Sequence, residues 1–488
     1  MQKIPIDQIA NAFKDNQPDP QKLQKGQVIR VKVHDLAFGG QGVARLESDS
    51  SERGGFVVFV NDAAPGDVLD VRILKRKKSH AEAAIEKIIT PSPDRLKPPC
   101  PYFDHCGGCN YLHLPYAVQA KHKQQQTADT IRRISGLRDL PEVEPIIASP
   151  VEFHYRNKMD FSFGSHPRMH GDATTLGFHE KQDWRNVLDI ERCLLHPPEM
   201  DDALRVMREF ANRSGLAAND PKRNTGFWRQ LLMRHSVHED KFILVFITRS
   251  DGEIDFDALV EELHAACPKL KGVMWGLSDR VADISVADEV RRTWGEMNLS
   301  ERLGGKTFRV SPFSFFQVNS RAATLLYDTV KEFAELDAKS RVLDAYCGTG
   351  SIGIYCAGEC ERVYGIESVR DAIWNARHNA RDNGLKNCMF FAGMVRQVLP
   401  LVSRHAGARG LNRVIVDPPR SGMHKKALEG LINIGAPLMV YVSCNPATLG
   451  RDIEVLAASG YTPTRIKPVD LFPQTYHCEV VIQLKKHS

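Results

Sequence analysis

Along the first ninety residues, apolar side chains fall into short β-like runs at positions 28–33, 42–46, 56–60, 68–74 and 83–89. Gly39-Gly40, Gly54-Gly55 and Pro65-Gly66 separate them. Five short strands broken by such turns predict a small closed barrel over residues 21–90. Residues 1–20, ending in Gln17-Pro18-Asp19-Pro20, read as a flexible leader. Five prolines between positions 91 and 101 mark a boundary. Beyond it, strand-like runs at 158–163, 242–247 and 273–277 alternate with helix-like stretches at 198–213 and 256–266. This predicts a middle α/β domain over residues 91–318. From residue 319 onward the alternation is regular, with strand-like runs at 341–346, 363–368, 388–392, 413–417, 437–444 and 478–484. Helix-like segments lie between the earlier runs, which predicts a doubly wound parallel sheet. Such a sheet binds ligands at the carboxyl ends of its strands.

Composition narrows the class. The chain has 488 residues, of which 42% are hydrophobic and 26% charged, which excludes a disordered tail protein, a collagen-like chain and a small disulfide scaffold. No apolar run approaches the roughly 20 residues of a membrane span, and the first residues carry no secretory signal. A cytoplasmic protein is therefore expected, with its 11 cysteines serving as thiols, metal ligands or a nucleophile. The net charge of +5 permits a nucleic-acid partner without requiring one. Arg72, Lys75, Arg76, Lys77 and Lys78 end the fourth barrel run and fit either a solvated turn or phosphate contacts.

The first strand of the C-terminal sheet leads into Asp344-Ala345-Tyr346-Cys347-Gly348-Thr349-Gly350-Ser351, which opens a helix. Glycines there let a ligand approach the backbone, and the helix start offers unpaired N–H groups. Glu367 ends the second strand, where a carboxylate can accept ribose hydroxyls. The turn lacks the spacing of a pyrophosphate-binding loop and carries an acid. A cationic nucleoside such as S-adenosylmethionine fits it better than a dinucleotide. Asp417-Pro418-Pro419-Arg420-Ser421-Gly422 ends the fourth strand, and its prolines stop the ladder at Asp417. Cys444, in Tyr441-Val442-Ser443-Cys444-Asn445-Pro446, ends the fifth strand just before a helix start that favours a thiolate. Glu479 opens the last strand and by pattern alone could be an ordinary edge carboxylate. Cys100, Cys106 and Cys109 have the spacing C-x5-C-x2-C, and Cys193 lies further along. Four thiolates suit an iron–sulfur cluster or a structural zinc, the latter with His105, His113 or His196 as further ligands.

Phe315-Phe316-Gln317-Val318-Asn319, residues 343–350 and 417–422, Ser443-Cys444-Asn445-Pro446, Leu449-Gly450-Arg451-Asp452 and Phe472-Pro473-Gln474-Thr475 leading to Glu479 occur in order. This set resembles the RNA (uracil-5-)-methyltransferase family. The N-terminal barrel looks like a TRAM domain, an RNA-binding module, and the cysteines match the family's iron–sulfur, 23S ribosomal RNA branch. The resemblance implies a fold with three parts. These are a TRAM barrel over 21–90, a middle domain over 91–318 carrying a [4Fe–4S] cluster on Cys100, Cys106, Cys109 and Cys193, and a Rossmann-like catalytic domain over 319–488. The implied cluster would staple the middle domain to the proline-rich linker. It implies methyl transfer from S-adenosyl-L-methionine to carbon-5 of a uridine in 23S ribosomal RNA, or alternatively in transfer RNA. Gln317, Tyr346, Ser351, Glu367 and Asp417 would contact the donor. Ser351 departs from the pattern, since relatives often carry Asn there.

The chemistry accounts for the residue types. Carbon-5 of uracil is a weak nucleophile, and a thiolate adding to carbon-6 activates it. Cys444 is the expected nucleophile and Glu479, by resemblance, the base that removes the carbon-5 proton. The base must leave its stack, so aromatic residues should line the cleft, with Phe315, Phe316 and Tyr346 as candidates. Arg420 suits a phosphate or base contact, or equally a salt bridge supporting its loop. Three other classes fit less well. A radical enzyme uses C-x3-C-x2-C, a cytosine methyltransferase uses Pro-Cys, and a binding-only protein would tolerate loss of Cys444. A monomer is expected.

Overall fold

The computed structural model describes residues 22–46, 55–171, 173–181, 183–281 and 284–487. The expected leader lies outside them. The chain divides into two compact units. The first contains the described residues up to Asp104, together with Gly108–Gln126 and Gln474–Tyr476. The second contains His105–Gly107, Thr127–Pro473 and the described residues from His477 onward.

In the first unit, β1 (Val28–Leu36), β2 (Gly42–Leu46), β3 (Phe56–Val60), β4 (Val68–Arg76) and β5 (His80–Thr90) close into a barrel in the order β1-β2-β3-β5-β4. Val31, Val33, Ala44, Val58, Val60, Leu69, Val71 and Ala81 fill it. Alternate residues of β1 face inward, as a half-buried strand requires. Asp67 is fully buried between strands and accepts hydrogen bonds from Ala64 N, Ser92 N and the Arg95 guanidinium. Burial alone would raise its pKa, but these bonds and the guanidinium charge outweigh burial and hold it below the ordinary value. Gln474 joins this unit at positive φ, with its N–H donated to Gln119 Oε1 and its carbonyl accepting from Asn110 and Tyr111.

The second unit contains two seven-stranded sheets and a hairpin. The first sheet is built from β6 (Lys158–Gly164), β7 (Thr175–His179), β8 (Val187–Asp189), β9 (Trp228–Ser236), β10 (Lys241–Thr248), β11 (Leu270–Leu277) and β12 (Glu289–Gly295). Its order is β12-β11-β10-β9-β6-β7-β8, and only β10 and β11 run parallel. Helices Asp201–Arg213 and Phe256–Ala266 cover one face through a shared apolar core. Strand β9 was not legible because Arg229, Gln230, Arg234 and His235 interrupt its apolar pattern, yet every residue in it is buried. The hairpin pairs β13 (Leu299–Leu303) with β14 (Lys306–Val310).

The C-terminal sheet contains β15 (Arg341–Ala345), β16 (Arg362–Glu367), β17 (Cys388–Ala392), β18 (Arg413–Val416), β19 (Leu438–Ser443), β20 (Tyr461–Val469) and β21 (Glu479–Lys486). Its order is β17-β16-β15-β18-β19-β21-β20. Apolar cores lie on both faces, as a doubly wound sheet requires. The expected all-parallel sheet holds as far as β19; β21 is antiparallel to both β19 and β20. Strand β20 escaped the sequence reading because it contains Pro463 and Pro468, which an edge strand tolerates. No helix among the described residues is long and apolar enough to cross a membrane.

The expected iron–sulfur site is not formed. Among the described residues, no group of three or more His, Cys, Asp and Glu side chains comes together to hold a metal ion. Cys193 packs against the apolar core of the middle sheet, and the backbone of Cys106 bridges to Glu180. The [4Fe–4S] assignment, its stapling role and the iron–sulfur branch are therefore corrected. Sequence spacing sets the distance along the chain between thiols, whereas their convergence depends on tertiary packing. The zinc alternative fails on the same observation, and His196 is instead buried with its Nδ1 at Pro197 O.

Candidate active site

The site forms where β15, β16, β18 and β19 end and β21 begins. After β15 the chain turns with Tyr346 at φ 68°, Gly348 at 54° and Gly350 at 78°. Only glycine adopts this region without strain, so Tyr346 is held in a costly conformation. Asp344 is fully buried, and its Oδ2 accepts the Gly353 N–H at 2.8 Å. That bond ties the strand to the helix Ser351–Cys356. Its Oδ1 has no hydrogen-bond partner. Burial, with the nearby Glu367 charge adding to it, pushes the Asp344 carboxyl up to about 7.

Glu367 accepts the Gly348 N–H at 3.2 Å through Oε2, and the Ser368 hydroxyl and Val369 N–H at 2.9 Å through Oε1. A carboxylate has about four acceptor positions, so this arrangement aims the group and leaves capacity for a ligand. The Ser351 hydroxyl lies 2.8 Å from that of Tyr327. Tyr327 is a buried residue on the helix Ser320–Ala334, and burial beside Asp417, Asp344 and Glu479 raises its pKa. The sequence reading missed it, since a tyrosine on an amphipathic helix carries no signal.

Gln317 is buried, and its carbonyl accepts from Asn157 Nδ2 at 2.9 Å. Asn319 caps the helix Ser320–Ala334, accepting from Ala322 N and donating to Ser149 Oγ and Leu471 O. The preceding loop is held by Arg234, whose guanidinium donates to Pro312 O and Ser314 O. Burial pulls the Arg234 pKa down to about 10. Of the aromatic candidates, Phe316 is a core residue against Phe308, while Phe315 is 65% exposed and lies beside Gly348. Cys347 and Cys478 are buried.

Cys444 and Glu479 meet through strand register. The antiparallel ladder pairs Val442 with Val481 and Ser443 with Val480, so one step further Cys444 comes alongside Glu479. Glu479 is buried, and its Oε2 has no hydrogen-bond partner. Burial, together with the Asp417 charge, raises the Glu479 pKa; burial and the Asp344 charge do the same for Asp417. Cys444 is half-buried, and burial followed by the Glu479 and Asp417 charges pushes its thiol up to about 12. The expectation of a helix-favoured thiolate is thus not met in the resting site. Desolvation and two neighbouring carboxylates outweigh Arg420, whose charge acts in the favourable direction.

The loop after β18 is anchored to the helix Pro446–Ala458. Asn445 Nδ2 donates to Arg420 O at 3.1 Å, and Arg451 Nη2 donates to Ser421 O. Buried Asp452 Oδ2 accepts from Met423 N and from the Tyr441 hydroxyl. In the barrel, Arg72 pairs with Glu86 and Lys77 with Glu82, so part of the basic cluster is neutralised locally.

Asp344 and Glu479 are buried and Asp417 is half-buried; the Asp344 charge raises Asp417, the Asp417 charge raises Glu479, and Asp344 and Glu479 each have an unpartnered oxygen. A ligand carrying positive charge would relieve both burial and mutual repulsion. That matches the sulfonium and ammonium groups of S-adenosylmethionine and not an anionic dinucleotide.

Residues 296–487 match the model of the tRNA (uracil-5-)-methyltransferase family, and residues 22–85 match the TRAM domain. An uncharacterized RNA methyltransferase of Halalkalibacterium halodurans is 33% identical over 463 residues, covering 95% of this chain and 98% of that protein. One from Caldanaerobacter subterraneus is 35% identical over 467 residues, covering 95% of this chain and all of that one. The crystal structure of Pyrococcus abyssi tRNA (uracil-54, C5)-methyltransferase with S-adenosyl-L-homocysteine superposes with a TM-score of 0.72 at 28% identity, covering 93% of this chain and 100% of that one. Together with the glycine turn after β15 and the paired strand ends, these relationships identify the chain as a member of the S-adenosylmethionine-dependent RNA (uracil-C5) methyltransferase family with an N-terminal TRAM domain.

Proposed function

We propose that this protein methylates carbon-5 of a uridine in transfer RNA, with Cys444 as nucleophile and Glu479 as base. The observation that carries this is the register that sets Cys444 beside a buried carboxyl with an unpartnered oxygen. The transfer-RNA target is supported by the family model and by the archaeal structure, which spans nearly the whole chain. The 23S ribosomal reading rested partly on the cysteines, which do not assemble into a metal site among the described residues. The TRAM barrel suits an RNA-binding role, and residues 319–488 carry the chemistry in this reading.

Gln317, Tyr346, Ser351, Glu367 and Asp417 would hold the methyl donor. When bound, it supplies an electrophilic methyl group to carbon-5. The Cys444 thiol proton leaves to solvent as its sulfur bonds to carbon-6, moving ring electrons towards carbon-5, and the sulfur takes a proton back when that bond later breaks. After methylation, Glu479 removes the carbon-5 proton, and the carbon-6–sulfur bond breaks with its electrons returning to sulfur. One proton is released per turnover. Burial and the Asp417 charge raise the Glu479 pKa, which makes its carboxylate a stronger base for this removal.

The test is a transfer-RNA transcript carrying 5-fluorouridine, whose fluorine cannot leave as a proton does. The expected result is a methylated adduct on the Cys444 peptide, absent from Cys444→Ala. Mass mapping of 5-methyluridine in cells lacking the gene should show loss from transfer RNA. Loss from ribosomal RNA alone would overturn the target, and an adduct on another cysteine would overturn the nucleophile.

A further inference from the structure

The outward side of β14 and the helix Arg370–Asp382 combines an exposed aromatic ring with unneutralised cations. Trp374 is 49% exposed. Its ring lies 3.7 Å from that of His378, centre to centre, and His378 Nδ1 sits 2.8 Å from Trp374 O. The Arg309 guanidinium lies 5.5 Å from the indole. The indole is thus held in place while half of it faces solvent. The hairpin ladder pairs Ser300 with Arg309 and Arg302 with Thr307, so Arg302 and Arg309 point outward while Glu301, Leu303, Phe308 and Val310 are buried. Asn379 Oδ1 accepts Arg309 N–H, and Asn383 Oδ1 accepts Thr307 N–H, which fixes the hairpin against the helix.

Elsewhere in this unit, Arg213 at the end of the helix Asp201–Arg213, and Arg291 and Arg292 on β12, are ion-paired with Glu262, Glu253 and Asp257. Arg302, Arg309 and Arg370 are exposed, and none is within ion-pairing distance of a carboxylate among the described residues. On the helix, Asp382 is held by Arg381, leaving Asp371 as its other acid. The helix is joined to a loop that reaches the site. Asn375 Nδ2 donates to Ser311 Oγ, tying the helix to the loop that carries exposed Phe313 and Phe315, and Phe315 lies beside the donor turn.

We propose that this face is a contact surface for the RNA substrate, with Trp374 packing against a base and Arg302, Arg309 and Arg370 meeting backbone phosphates. Cations supply sequence-independent affinity, and an exposed aromatic supplies stacking that any base can use. The proposal deepens the RNA reading above and rests on it. A second copy of the chain is the rival occupant, and uncompensated positive charge argues against it.

The experiment measures binding of a fluorescein-labelled, unmodified transfer-RNA transcript by anisotropy across a salt series. Trp374→Ala should weaken binding about tenfold, and Trp374→Phe should recover most of it. Arg302→Ala with Arg309→Ala should reduce the slope of log affinity against log salt by about 1–2. S-adenosylhomocysteine binding, measured by calorimetry, should be unchanged in all of them. If Trp374→Ala loses that binding as well, the arginine pair alone decides. Wild-type protein that binds the transcript while these variants bind equally tightly overturns the surface alone. Wild-type protein that does not bind RNA overturns the RNA reading with it. Variants that alter only self-association in sedimentation also overturn the surface.

Discussion

Ser443 and Val480 face each other across an antiparallel ladder, and that pairing brings the end of one strand to the start of another. In a parallel sheet, the first residue of a strand lies at the edge opposite the ligand. Because β21 runs against β19, Glu479 sits at the same edge as Cys444, Asp417 and Tyr346.

Removing either partner should separate two halves of the reaction. Cys444→Ala is expected to lose methyl transfer by at least about a thousandfold, and with it the fluorinated-RNA adduct. Glu479→Gln should still form the bond to carbon-6 but resolve it about 10²–10⁴ times more slowly. With ordinary RNA this variant should accumulate a methylated adduct visible by denaturing gel, whereas wild type should not.

Cys444 should alkylate slowly near neutral pH, because its thiol is pushed up to about 12. The iodoacetamide rate at this residue, followed by peptide mass spectrometry, should rise about tenfold per pH unit between 7 and 10 without a plateau. Glu479→Gln removes a negative neighbour, so it should lower the thiol pKa and speed alkylation wherever wild-type Glu479 is ionised. A plateau below pH 9 would show a thiolate already favoured in the resting site.

Asp344 should cost stability as pH rises. Its folded pKa of about 7 exceeds the unfolded value, so its contribution is fully present below about 3.8 and lost as pH rises through about 7. Asp344→Asn keeps an acceptor for Gly353 N–H and cannot ionise. Its stability relative to wild type in urea should improve by a few kcal/mol between pH 4 and pH 8. A pH-independent difference would mean the carboxyl is not desolvated.

Asp452→Ala should loosen the loop that carries Asp417 and Arg420. The change strands the Met423 N–H and the Tyr441 hydroxyl, at a cost of about 2 kcal/mol or more. The Arg451 pair, half exposed on the arginine side, should add little. Thermal melting should show the loss, and S-adenosylhomocysteine affinity should fall with it. Asp452→Asn should recover part of both.

The candidate site residues could be singled out in the sequence because they lie at strand ends that local pattern defines. The β15 turn announces itself by its glycines and the following helix. Asp417 is marked by the prolines that stop β18, and Cys444 by Asn445 and Pro446 opening a helix. The barrel was legible from five runs and their breakers. Less visible were residues whose role is to hold others. Tyr327, Arg234, Asn157 and Asp452 act through buried hydrogen bonds to segments distant in sequence, and no local spacing encodes such partners. The cysteine spacing misled for the same reason, since it implied a convergence that tertiary packing does not produce.

Local order in the chain thus decides which segments become strands, where each stops, and which reactive side chain stands at the stop. It does not decide strand direction, because an apolar run reads alike in a parallel or antiparallel partner. Only packing reversed β21, placed β20 at the edge, and put a desolvated carboxyl beside a thiol. Those long-range pairings set the protonation of both groups, because burial and neighbouring charge, and not sequence distance, control a pKa.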